Sequence, residues 1–95
     1  MTFELRFTPE AEETFDSLAS QLQQRWGDTY VAKFEAKVFK ALKTIAGAPF
    51  LYPVVEETTG IRKCILHKNC SMLYMVNNHD IVIAYFWDNR QDPLF

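Results

Sequence analysis

The chain is 95 residues long, 48% hydrophobic and 15% aromatic, a composition that excludes a disordered tail and leaves one domain with a thin, shared core. Its formal charge is −2, from ten basic and twelve acidic residues, which excludes an overall field built to hold a phosphate backbone. No apolar run approaches the ~18 residues of a membrane span, and Met1 leads straight into strand-like sequence. The expectation is therefore a cytoplasmic protein with no membrane contact.

Phe3, Leu5 and Phe7 alternate with Glu4 and Arg6, the period of a strand with one face buried. Thr8 then offers a hydroxyl cap, Pro9 suits the first helical position, and Glu10, Glu12 and Glu13 complement the positive end of a helix dipole. Ala11, Phe15, Leu18 and Leu22 make one apolar stripe on this helix, which Gly27 ends. Asp28 is the expected cap of a second helix, whose stripe is Val31, Phe34, Val38, Ala41, Leu42 and Ile45. Gly47 and Pro49 stop it.

So short a junction folds the two helices into an antiparallel hairpin that must bury both stripes against the rest of the chain. Residues 50–60 read as a connecting loop. Strands follow at 61–67, 70–76 and 81–87, joined by Lys68-Asn69 and by Asn77-Asn78-His79-Asp80, so they form an antiparallel meander. The predicted fold is α+β: a helical hairpin on one face of a small antiparallel sheet, in the order β-α-α-β-β-β, as a single domain over 1–95.

Charge is unevenly spread. Residues 1–59 carry a net −3 and residues 60–95 a net +1, which places any anion site in the second part. Lys33, Lys37, Lys40 and Lys43 recur along the outer face of the second helix as a solvated basic stripe, with Glu35 beside it. Cys64 and Cys70 fit no zinc spacing. A 64–70 hairpin would let the two thiols face each other, although buried reduced cysteines are the default in a reducing compartment. No metal or cofactor is expected.

Three passages together resemble the RelE/ParE toxin superfamily across essentially the whole chain. They are Phe3 to Ala11, Ile45 to Pro53, and the set Gly60-Ile61-Arg62-Lys63, Met72-Leu73-Tyr74 and Asn89-Arg90-Gln91-Asp92-Pro93. The resemblance implies the toxin of a type II toxin–antitoxin pair, held in a hetero-oligomer with a cognate antitoxin that wraps its surface. It implies one of two activities. RelE-like members cut mRNA on the ribosome with basic groups and a late tyrosine, whereas ParE-like members poison DNA gyrase by contact.

For the nuclease activity, the resemblance carries Arg62 and Arg90 onto family basic positions, with Tyr85 as the remaining hydroxyl. The family's arginine ahead of an aliphatic-aliphatic-tyrosine run is absent from Ser71-Met72-Leu73-Tyr74, and Phe95 offers no hydroxyl at the C-terminus. His67 and His79 fall in different turns at opposite ends of a meander, which separates them as acid and base. The incomplete set favours the contact poison. Its expected surface for target or antitoxin is Arg62, Phe86, Trp87, Arg90 and Asp92, where strand alternation buries one of the two adjacent rings and turns the other outward. Phe50, Leu51 and Tyr52 are further candidates. A non-toxic interaction module on the same fold is the third reading.

Overall fold

The computed structural model describes residues 3–67 and 70–90. Its elements are β1 (Glu4–Phe7), α1 (Pro9–Trp26), α2 (Asp28–Gly47), β2 (Val54–Glu56), β3 (Ile61–His67), β4 (Cys70–Asn77) and β5 (Asp80–Asp88). The strands form one sheet in the order β1-β5-β4-β3-β2. Helical stripes and sheet meet in a single core of Ala11, Leu18, Phe34, Val38, Ala41 and Ile45 against Met72, Tyr74, Ile81, Ile83 and Phe86.

The helices begin and end where local chemistry requires. Thr8 caps α1: its hydroxyl accepts the Ala11 amide at 3.0 Å and donates to the Ala84 carbonyl at 2.6 Å, so one side chain starts the helix and ties it to β5. Thr8→Ala is expected to cost about 1–2 kcal/mol, read as a lower urea midpoint with an unchanged slope. The junction between the helices is Gly27 alone, at φ 85°, where any side chain is strained. Asp28 is not the predicted cap. It is the first residue of α2, and its carboxylate accepts from Gln23 Nε2 at 2.7 Å.

Two features of the sheet differ from the sequence expectation. The 50–60 loop contains the short edge strand β2, paired with Ile61 and Arg62 of β3. It is too brief to show a period. The sheet is also mixed, because β1 pairs with β5 in parallel, Glu4 beside Asp80 through Phe7 beside Ile83. The helical hairpin explains this: α2 returns the chain to the end of the sheet from which β1 starts. β3 therefore runs the same way as β1, and so does β5 two hairpins later.

β1 ends beside Ile83, which leaves the upper half of β5 without a strand neighbour on that side. Hydroxyls of the first helix close that edge: Thr8 holds the Ala84 carbonyl and the Thr14 hydroxyl accepts the Phe86 amide at 2.9 Å. One irregularity in β5, between the Leu73–Tyr85 and Tyr74–Ile83 pairs, leaves Ala84 without an opposite. Beyond it, Phe86 turns into the core against Phe15, with ring centroids 5.5 Å apart.

Candidate functional site

At the end of the sheet where β5 finishes, the C-terminal half of α1 and the N-terminal half of α2 stand apart from the strands. Between them lies a cavity of about 150 Å³ with an apolar floor including Leu18, Leu22 and Phe34. Trp26 and Tyr30, one on each helix, stack at 4.9 Å beside it. Its lining also carries charge: Lys33 and Lys37 on α2, and Arg90 beyond β5 paired with Asp88. Half of the sequence's solvated basic stripe thus borders an apolar groove.

Arg90 is held in place. Its guanidinium donates to both oxygens of Asp88, Nε to Oδ1 at 3.0 Å and Nη2 to Oδ2 at 2.7 Å, and its own amide donates to Oδ1 at 2.9 Å. The Arg90 hydrogen bond, followed by the charges of Arg90 and Arg25, outweighs burial and holds the Asp88 carboxyl below its ordinary range. The same bond raises Arg90. The sequence reading does not single out Asp88, although an aspartate that ends a strand accepts the amide two residues on and so turns Arg90 back over it, which makes the Asp-x-Arg spacing the available signal.

Arg62 serves the scaffold. It leaves the bottom half of β3 on the helical side, where Nη1 donates to the Tyr52 carbonyl at 2.6 Å and the Phe50 carbonyl at 3.3 Å, with its guanidinium 5.1 Å from the Phe50 ring centre. Tyr74 adds a buried hydrogen bond from its hydroxyl to the Pro49 carbonyl at 2.9 Å. Phe50 meets Phe3 edge-on at 6.4 Å. Together these groups fix the 49–52 segment. Arg62→Ala is expected to speed proteolysis at the exposed Phe50 and Leu51 while leaving the core intact, measured by limited digestion under native conditions.

The predicted site residues therefore separate. Arg62 stands at least five strand positions from Arg90, about 16 Å at the usual rise. Tyr85, paired with Leu73, lies by alternation from Phe86 on the face away from the helices, its hydroxyl raised by burial and then by Glu10. Phe86 is only 3% exposed and belongs to the core. It is not a surface contact; Trp87 takes the opposite face of the sheet, half-buried with its indole N–H covered and without a partner among the described residues. Asp92 and the Lys68-Asn69 turn lie outside the described residues.

His67 and His79 sit at opposite ends of the sheet as expected: His79 accepts the Glu4 amide beside the start of β1, while His67 meets Tyr30 edge-on at 6.4 Å by the groove. The cysteines do not face each other. Cys64 is opposite Met72 and Cys70 opposite His67, because the pairing of β3 with β4 closes at His67 and Cys70, three residues beyond Cys64, and both thiols are free and buried. Burial pushes Cys70 up to about 12, which makes it unreactive. No group of potential metal ligands occurs among the described residues, and no described helix is long and apolar enough to cross a membrane.

The fold is shared with solved structures from toxin–antitoxin systems. The chromosomal ParDE system of P. aeruginosa matches with a TM-score of 0.77 and 18% identity, over 92% of this chain and 96% of that one. The YoeB dimer of Staphylococcus aureus matches at 0.66 and 20%, over 92% and 97%, and the E. coli DinJ-YafQ toxin–antitoxin complex at 0.65 and 8%, over 95% and 96%. In sequence, residues 5–93 match the model of the ParE toxin of the type II toxin–antitoxin system parDE. The chain belongs to the ParE toxin family. No curated protein matches it in sequence.

Proposed function

We propose that this toxin acts in the cytoplasm by binding a protein target, DNA gyrase, and that it does so without cutting RNA. The observation that carries the reading is the dispersal of Arg62, Arg90 and Tyr85. In-line cleavage needs a base, an acid and a cation within hydrogen-bond reach of one phosphate. Here one cation is spent on loop carbonyls at the lower half of β3, the other is clasped by Asp88 at the upper end, and the hydroxyl belongs to the opposite face. A contact poison requires no such convergence.

The cognate antitoxin neutralises it by covering the groove. An acidic amphipathic segment suits that surface, with apolar side chains on Leu18, Leu22 and Phe34 and carboxylates meeting Lys33 and Lys37. Trp87, half-buried beside Asp88, extends the surface on the other side of the sheet.

Purified toxin added to DNA gyrase in a supercoiling reaction tests the target. Dose-dependent loss of supercoiling, relieved by the antitoxin, is the expected result. Gyrase that supercoils normally at a large molar excess of toxin would refute this target.

A further inference from the structure

The two outer halves of the sheet are finished differently. Above β1, the edge of β5 is closed by Thr8 and Thr14 of α1. Above β2, no side-chain hydroxyl among the described residues bonds to the edge of β3. Lys63 donates its amide to the Pro53 carbonyl at 3.2 Å, the uppermost bond between β3 and the 53–56 segment among the described residues. Immediately before Pro53 the chain swings away, because Arg62 draws the Tyr52 and Phe50 carbonyls toward the helical side.

Backbone groups alternate along a strand, so Ile65 directs its N–H and C=O the same way as Lys63, to the side where β2 has ended. Its side chain is 66% exposed, the highest among the large hydrophobic residues of the sheet. A strand edge with no backbone partner among the described residues, beside an exposed β-branched residue, is a template for one more strand. Lys63 shares the outer face with Ile65 and has no ion-pair partner among the described residues.

We infer that the upper edge of β3, from Lys63 to Ile65, is a strand-addition site for an extended segment of a partner protein, with an apolar residue against Ile65 and a carboxylate against Lys63. Charge selects this occupant. The edge continues through His67 into the groove, where Lys33 and Lys37 have no ion-pair partner among the described residues while Arg90 is paired with Asp88, so a second copy of the chain would set its Lys63 beside these lysines, whereas an acidic strand meets them. The inference stands apart from the gyrase reading, since it concerns backbone pairing at β3 and holds for any partner with this alternation.

The test uses the intact protein and two fluorescent peptides with the cores Glu-Thr-Val-Thr-Glu and Lys-Thr-Val-Thr-Lys, followed by anisotropy, with amide exchange at Ile65 read by NMR. The acidic peptide is expected to bind, to protect the Ile65 amide, and to exceed the basic peptide in affinity by about tenfold. Ile65→Pro removes the outward N–H without taking a bond from the β3–β4 ladder and is expected to weaken binding about tenfold. Ile65→Thr retains that N–H and separates loss of pairing from loss of apolar contact. Equal binding of both peptides, protection confined to groove residues, unchanged affinity in a folded Ile65→Pro variant, or no binding would each overturn the inference. So would concentration-dependent self-association that protects Ile65, which would assign the edge to a second copy.

Discussion

Phe86→Ala is expected to destabilise the protein by about 3–5 kcal/mol, the largest effect of any single truncation considered. The ring is 3% exposed, packs against Phe15 at 5.5 Å, and belongs to the cluster joining both helices to the sheet. Its loss opens a cavity that neither helix can fill, because Thr8 and Thr14 pin α1 to β5 on either side. Urea denaturation measures the change. The comparison with Trp87→Ala is informative: Trp87 lies outside the helix-facing core, so its truncation should reduce antitoxin or target affinity more than stability, and Phe86→Ala should do the reverse.

Asp88→Asn should lower stability by about 1–2 kcal/mol near neutral pH, the scale of hydrogen bonds to a charged group reduced for the partial exposure of Arg90. It should also remove an acid dependence. The carboxyl's folded value lies below the ordinary 3.8, chiefly through the Arg90 hydrogen bond. Its stabilisation is therefore complete above the unfolded value and disappears as pH falls through the depressed folded one. The difference in unfolding free energy between the native protein and Asp88→Asn should be constant in the neutral range and shrink on acidification below about pH 4. A difference that grew on acidification would contradict the clasp. Freeing Arg90 also unfastens one cation at the mouth of the groove, so this variant should bind the antitoxin differently as well as fold less stably.

Much of this architecture is legible in the amino-acid order because it is local. The spacing of Phe34, Val38, Ala41 and Ile45 identifies the buried face of α2, and the Thr8-Pro9 pair marks the start of α1, since helix periodicity and capping involve residues only a few positions apart. Alternation in 81–87 correctly sends one of two adjacent rings inward. It does not say which, because the irregularity at Ala84 resets the phase.

What was hidden depends on distant partners. β2 is three residues long and defined by pairing with β3. Asp28 has the residue type of a cap, yet its carboxylate goes to Gln23, because a one-residue junction leaves Gly27 in the capping position. Arg62 illustrates the difference for the site. In sequence it is a strand cation that the resemblance offers as a nuclease group. In the fold, its hydrogen bonds reach back ten and twelve residues to the Tyr52 and Phe50 carbonyls, and no period or motif announces that. The groove is likewise an assembly of three elements, visible only once α1, α2 and the end of the sheet are set together.

We propose that this ParE-family toxin works by contact, with its candidate catalytic groups held apart in the fold. Inducing the protein in a bacterial host without its antitoxin, and mapping transcript 5′ ends by primer extension as growth slows, tests that claim most directly. Growth arrest with intact messages is the predicted result. New ends clustered at codon boundaries of translated messages would contradict it and would require Arg62, Arg90 and Tyr85 to converge in a conformation different from the one described.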